Sequence, residues 1–213
     1  MTEGSSFGPK VGPIRYWIGK LWLKAFGWQT VGEVPPIDKA VFVANPHTTG
    51  WDLPFTLAVA WSLRMNVSWA GKSSLFRGPL KYFFRALGGV SIERSKRASQ
   101  VDSIAEAITR EDRVFLVIAP AGTRKRRDHW KSGFYHIARK ANVPMLLAFM
   151  DYSRKRGGLG PAFTPTGDIR ADMNRIRAFY DGVEGKYPNN ASIIRLREED
   201  DAVAPMQLAE AAE

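Results

Sequence analysis

The chain has 213 residues, a length that suits one α/β domain with a short extension. Its formal net charge is +10, and residues 1–197 hold 31 basic against 15 acidic side chains, a net +16. A region with this much positive charge attracts an anionic partner, which can be nucleic acid, an acidic lipid surface or a phosphorylated substrate. The absence of cysteine excludes disulfides, thiolate catalysis and cysteine-based zinc sites.

The N-terminal region favours a membrane surface over a membrane span. Residues 1–13 are rich in Gly, Ser and Pro and do not form a signal peptide, and no segment has the roughly 18–20 continuous apolar residues of a spanning helix. Residues 14–28 place apolar side chains at helical spacing, with three Trp, one Tyr and interspersed Lys and Arg. We predict an amphipathic helix that either lies in a lipid interface or packs on the domain core.

The following segments alternate between strand and helix patterns. Strands are predicted at 40–44, 67–70, 90–92, 114–118 and 143–150, and helices at 53–65, 79–87, 99–109, 132–140 and 173–183, with a loop or hairpin at 157–161. This alternation predicts an α/β fold with a mostly parallel central sheet flanked by helices. We expect residues 1–30 to hold the loose N-terminus and amphipathic helix, residues 31–196 the main domain, and residues 197–213 an acidic, disordered tail.

One segment, NPHTTGWD, carries the strongest catalytic signal. His47 follows a predicted strand, where functional groups gather in open α/β folds, and Asp52 comes five residues later. A histidine can accept a proton near neutral pH, and a carboxylate can fix its tautomer and stabilise its charged form. Gly50 permits the turn that would bring the two together. The alternative is a loop histidine beside a helix-capping aspartate.

Two further segments could bind phosphate. In GGVSIERSKR, Arg94 lies in a basic run that is either a phosphate clamp or a solvated turn. In APAGTRKRRDHW, a buried strand leads into Gly122, Thr123 and Arg124, which offer close backbone approach, a hydroxyl and a guanidinium. Lys72 lies ahead of the first of these segments.

The order and spacing of these segments resemble those of the PlsC-like family of glycerol-phosphate and lysophosphatidate acyltransferases. The resemblance covers about residues 35–155 and rests on His-x4-Asp at 47–52, on Gly89 to Arg94, on the Pro-x-Gly-Thr-Arg block at 120–124 and on Val-Pro at 143–144. Lys72 also falls where the family often has a lysine. The family usually has a glutamate at the position of Ala121, which the resemblance implies supports the phosphate-binding arginine.

The resemblance implies an O-acyltransferase in which Asp52 orients His47 as a general base. The acceptor hydroxyl, on a lysophospholipid such as 1-acyl-glycerol-3-phosphate, attacks an acyl thioester carried by coenzyme A or an acyl carrier protein. Arg124, with Arg94, Gly122, Thr123 and Lys72, would hold the acceptor phosphate. No bound cofactor and no metal is expected. The alternative is a catalytically weakened lipid- or acyl-carrier-binding protein on the same fold, because position 121 is alanine.

The expected partners are the thioester donor, the lyso-acceptor and an anionic membrane surface, with the protein bound peripherally on the cytoplasmic face. Nucleic acid is not an expected partner, because no known reader motif accompanies the basic charge. An acyl chain needs an apolar groove, and the candidates for lining it are Leu53, Phe55, Leu57 and the cluster at 82–84, each of which is also a candidate for the core.

Overall fold

The computed structural model describes residues 11–92 and 97–201. The helices are α1 Pro13–Ala25, α2 Asp52–Ser62, α3 Leu80–Ala86, α4 Arg97–Arg110, α5 Gly133–Ala141, α6 Ile169–Tyr180 and α7 Glu198–Asp201. The strands are β1 Gln29–Val31, β2 Lys39–Asn45, β3 Ser68–Lys72, β4 Gly89–Ile92, β5 Val114–Ile118, β6 Met145–Asp151 and β7 Arg156–Phe163.

Seven strands form one sheet in the order β1-β7-β6-β2-β5-β3-β4. Every neighbouring pair is parallel except β6 and β7, which form an antiparallel hairpin. The predicted mostly parallel α/β fold is therefore confirmed. Strand β1 was not predicted, because three residues are too few to show an alternating pattern. Residues 157–161, expected as a loop or hairpin, lie within strand β7, which forms the hairpin with β6.

Helices cover both faces of the sheet, and the alternation along β2 shows how. Val41 and Val43 point into a core shared with α4, α5 and α6, whereas Ala40 and Phe42 point into a core shared with α2 and α3. Because β2 lies between β5 and β6 and is covered on both sides, its sequence is a nearly continuous apolar run. The result is a three-layer domain with the middle of β2 at its centre.

Helix α1 lies outside this sandwich, on α2. A Cβ added to Gly19 would meet the carbonyl oxygen of Ala58 at 2.6 Å, so the glycine permits a close helix crossing. Leu23 is buried beside it, while the opposite side of α1 exposes a stripe made of Ile14, Trp17, Ile18 and Leu21. In residues 11–92 and 97–201, no helix combines the length and apolar character needed to cross a bilayer.

The acidic segment that we expected to be disordered begins with an ordered helix, α7. Glu199 is buried; its Oε1 accepts the backbone N–H of Leu196 at 2.7 Å, and its Oε2 pairs with Arg177 at 2.8 Å. Leu196, just before α7, is fully buried in the core. These contacts hold residues 198–201 against α6, and residues 202–213 lie outside the described part of the chain.

Candidate active site

The ends of three parallel strands bring the predicted site residues to one edge of the sheet. His47 follows β2, Lys72 ends β3, and Thr123 and Arg124 follow β5. All four residues line a cavity of about 680 Å³. The volume lies within the range of roughly 300–1,000 Å³ that is usual for small-molecule sites.

His47 and Asp52 are in direct contact at the mouth of this cavity. The Nδ1–H of His47 donates to Oδ2 of Asp52 at 2.9 Å, since an ionised carboxylate can only accept. This bond leaves Nε2 as the basic nitrogen of the neutral ring. The aspartate side chain is 7% exposed and the histidine side chain 31% exposed, so the carboxylate is sheltered while the ring can reach a ligand.

The loop between β2 and α2 folds around the same carboxylate. The backbone N–H groups of Thr48 and Thr49 donate to Oδ2 of Asp52 at 2.9 and 3.1 Å. Asp52 is also the first residue of α2, where a negative charge is favoured by the helix dipole. One carboxylate thus closes the loop, begins the helix and contacts the histidine. The N-cap position of α2 is Trp51 and not Asp52, and the catalytic role of the pair stays a prediction.

Tyr152 completes the surroundings of Asp52 and was not among the predicted residues. Its hydroxyl donates to Oδ1 of Asp52 at 2.8 Å. Burial first, and then the charge and hydrogen bond of Asp52, raise the pKa of the tyrosine, which therefore stays protonated and donates. The signal that could have identified Tyr152 is its position just after β6, at the same edge of the sheet as His47.

Arg124 lines the cavity beside the loop that carries His47. A Cβ built on Gly50 would stand 3.0 Å from a terminal nitrogen of Arg124, so the guanidinium rests against the turn between His47 and Asp52. Gly122 has a left-handed conformation, with φ of 61°, that suits glycine and turns the chain after β5. The guanidinium thus adds a positive charge to the loop that carries the dyad of His47 and Asp52.

Ala121 faces away from this cavity. It is 6% exposed and belongs to the core on the α4, α5 and α6 side of the sheet, together with Trp130 and Tyr180. It is not among the residues that line the cavity, whereas Ala119 and Gly122 are. Arg94, the remaining predicted phosphate ligand, lies outside the described residues.

The inner part of the cavity is apolar and runs between α2 and the sheet. Its walls include Phe42, Leu53, Val67, Trp69, Val117 and Leu159. Of the side chains considered for an acyl groove, Leu53 and Phe84 line the cavity, Phe55 and Leu57 are packed in the core, and Tyr82 and Phe83 are exposed on α3. Over residues 11–92 and 97–201, no three His, Asp or Glu side chains come together as a metal site.

A model of the acyltransferase family matches residues 29–148, more than half of the chain. Among solved structures, the chain is similar to the 1-acyl-sn-glycerophosphate (LPA) acyltransferase PlsC from Thermotoga maritima, with a TM-score of 0.53 and 18% sequence identity. That alignment covers 80% of this chain and 75% of the other, and at this identity it shows the shared fold alone. No curated protein sequence matches the chain.

Proposed function

Because the chain belongs to the acyltransferase family, we propose that it transfers an acyl chain from a thioester to the hydroxyl of a lysophospholipid-type acceptor. The thioester is carried by coenzyme A or an acyl carrier protein, and 1-acyl-glycerol-3-phosphate is an example of the acceptor. The observation that carries this proposal is the contact between His47 and Asp52 at the mouth of a largely apolar cavity whose rim also holds Arg124. Base, cation and apolar groove are the three features that such a reaction needs.

The chemistry follows from the free nitrogen of His47. Nε2 takes the proton of the acceptor hydroxyl as its oxygen attacks the thioester carbonyl carbon. The carbon–sulfur bond then breaks, and the imidazolium returns the proton to the departing thiolate. Asp52 stabilises the imidazolium while it exists, and holding alcohol and thioester together can itself lower the barrier by roughly 7–11 kcal/mol in ideal geometry.

The acceptor phosphate would bind the cations that line the cavity mouth. Arg124 offers a planar fork of donors, and Lys72 a single ammonium. Thr123 and the backbone at Gly122 line the same rim. Because the guanidinium rests against Gly50, three residues from His47, a phosphate on it would sit close to the base. The resemblance also assigns this role to Arg94.

The acyl chain would occupy the apolar part of the cavity between α2 and the sheet, where Leu53, Trp69 and Leu159 form part of the wall. Burying methylene groups there is favourable by about 0.8 kcal/mol each. A solvated headgroup at the mouth and a buried chain inside match the polar and apolar division of the cavity. This match supports a lipid rather than a wholly polar acceptor or donor.

We also propose peripheral binding to an anionic membrane, on its cytoplasmic face. The outer stripe of α1 exposes Trp17 at 59% and Leu21 at 62%, with Lys20 and Lys24 beside them. A bond of 3.1 Å from Arg15 to the carbonyl oxygen of Ala86 links α1 to the end of α3, whose own apolar side chains are exposed. Exposed apolar side chains mixed with cations suit a lipid headgroup region.

Vesicle flotation tests the membrane proposal. A Trp17→Glu/Leu21→Glu variant should bind phosphatidylglycerol-containing vesicles at least tenfold more weakly than the wild type, because two carboxylates would enter the interface. Ile193→Glu changes another exposed apolar residue, away from α1, and should bind like the wild type. Equal binding by all three proteins would exclude α1 as the lipid-binding surface.

The weakened-enzyme alternative depended on Ala121. Its methyl group lies in the core and not on the cavity wall, so the missing glutamate removes no group from the cavity. This placement favours an active enzyme over a binding protein. The two remain separable by turnover, because a binding protein would take up lipid without releasing thiol from a thioester.

The decisive experiment combines purified protein with a panel of acyl-CoA and acyl-carrier donors and lyso-acceptors, with products identified by mass spectrometry. His47→Gln should abolish product formation. His136→Gln is the control, since His136 also faces a carboxylate, Glu198 at 3.6 Å, but lies on α5 away from the cavity. Full activity in His47→Gln would refute the dyad, and no product from the wild type with any pair would refute acyl transfer.

A further inference from the structure

The carboxylate of Asp52 has two differently occupied oxygens. Oδ2 accepts from His47 and from the two threonine backbone N–H groups, whereas Oδ1 accepts from the hydroxyl of Tyr152 at 2.8 Å. Tyr152 lies beyond residue 148, where the match to the family model ends. The partner of Oδ1 therefore comes from a part of the chain outside that match.

We infer that Tyr152 is a positioning residue of the dyad: its hydroxyl fixes the rotation of the Asp52 carboxylate, so that Oδ2 faces Nδ1 of His47, and offsets part of its charge. This inference rests on the proposed role of the dyad. Tyr152 touches Asp52 and acts on the base only through it.

The tyrosine is itself held in place, as this role requires. Its ring packs edge-on against Trp28, with centroids 4.9 Å apart, and lies 6.1 Å from the ring of Phe55, a residue of α2. Its backbone N–H donates to the carbonyl oxygen of Glu184 at 2.9 Å. Two aromatic neighbours and a backbone hydrogen bond thus hold Tyr152, so the hydroxyl is presented to Asp52 with little freedom to move.

Loss of the hydroxyl has a predictable effect on proton uptake by the dyad. Oδ1 would be left without its donor inside a site where the Asp52 side chain is 7% exposed. A carboxylate with one fewer donor attracts a proton more strongly, so the dyad binds a proton at higher pH. Within residues 11–92 and 97–201, the other charged side chains that line the cavity with His47 and Asp52 are Arg124 and Lys72, and the change leaves both in place.

The test compares Tyr152→Phe with Tyr135→Phe. Both substitutions remove a hydroxyl that donates to a buried aspartate at 2.8 Å, but Tyr135 bonds Asp172, away from the cavity. Tyr152→Phe should lower kcat/KM about ten- to a hundredfold and move the acid limb of its pH profile up by about one pH unit. Tyr135→Phe should lower the melting temperature without moving that limb.

An unmoved acid limb in Tyr152→Phe, or an equal shift in Tyr135→Phe, would overturn the inference. A readout without turnover separates this failure from failure of the proposed reaction. The chain has three histidines, and comparison with His47→Gln assigns the His47 signal in an NMR titration. Its titration midpoint should rise in Tyr152→Phe and stay in place in Tyr135→Phe. An unchanged midpoint in Tyr152→Phe overturns the inference even if no acyl transfer is found.

Discussion

Replacing Asp52 with asparagine should remove a charge from the dyad while keeping its geometry. Three N–H donors converge on Oδ2, so the amide oxygen must stay at that position and the amide nitrogen must take the place of Oδ1. There it faces the hydroxyl of Tyr152, which can rotate to accept a hydrogen bond. The asparagine variant is therefore expected to fold with the loop closed and His47 in place.

The size of the effect follows from the lost attraction between carboxylate and imidazolium. At the observed 2.9 Å, two unit charges in an effective dielectric of about 20 attract by about 6 kcal/mol. The His47 side chain is 31% exposed, and solvent screening reduces this attraction to about 3–6 kcal/mol. The base is then harder to protonate in the transition state, and kcat/KM should fall about 10²–10⁴-fold.

Continuous detection of the thiol released from an acyl thioester, in the presence of a lyso-acceptor, measures this loss. Asp172→Asn is a matched control, because Asp172 is fully buried and also accepts several donors, but lies on α6 outside the cavity. It should be less stable yet fully active when folded. An Asp52→Asn variant within about tenfold of the wild-type kcat/KM would refute the electrostatic role of Asp52.

Three further outcomes follow from the same contacts. Ala121→Glu would bury a carboxylate in the core. It should lower the free energy of unfolding, measured by urea denaturation, by roughly 2–5 kcal/mol without raising activity. A gain in turnover would instead support the weakened-enzyme alternative. Arg124→Gln should raise KM for a phosphorylated acceptor about ten- to a hundredfold and leave KM for the donor unchanged. Substitution of its exposed neighbour, Lys125→Gln, should change neither KM. Equal effects of the two substitutions would contradict a specific phosphate site. Burial, with the bond to Asp172, raises the pKa of Tyr135 to about 12. The contribution of Tyr135 to the free energy of unfolding should therefore be constant below pH 10 and be lost as the pH rises from 10 to 12. Urea titrations of Tyr135→Phe should show a flatter fall over that range than the wild type, and an identical fall would refute the assignment.

The fold could be predicted from the sequence because its signals are local. The strands of the central sheet are apolar runs bounded by turn residues, and the helices between them have clear helical spacing. Strand β1 was not predicted because it has only three residues, and α7 was not predicted because its acidic sequence resembles a solvated tail. The ion pair that holds α7 against α6 comes from Arg177, which no local pattern connects to Glu199.

Direct contacts within the candidate site were predictable where the chain doubles back within a few residues. His47 and Asp52 lie five positions apart, and their contact confirms the turn expected at Gly50, while their catalytic role stays a prediction. Tyr152 lies a hundred residues from Asp52, and only the parallel pairing of β2 with β6 brings them together. The orientation of Ala121 could not be predicted either, because a sequence motif gives the position of a residue but not the direction in which its side chain points.

The close crossing of α1 and α2 sets the orientation of the exposed stripe of α1 relative to the cavity. Gly19 brings α1 so close to Ala58 that a side chain at position 19 would clash with α2. Helix α2 begins at Asp52, and the outward stripe of α1 is thus set at a constant angle to the carboxylate that contacts His47. A planar surface that binds this stripe would therefore meet the cavity in a single orientation. A bulkier residue at position 19 would tilt that plane relative to the dyad while leaving every residue of the cavity unchanged.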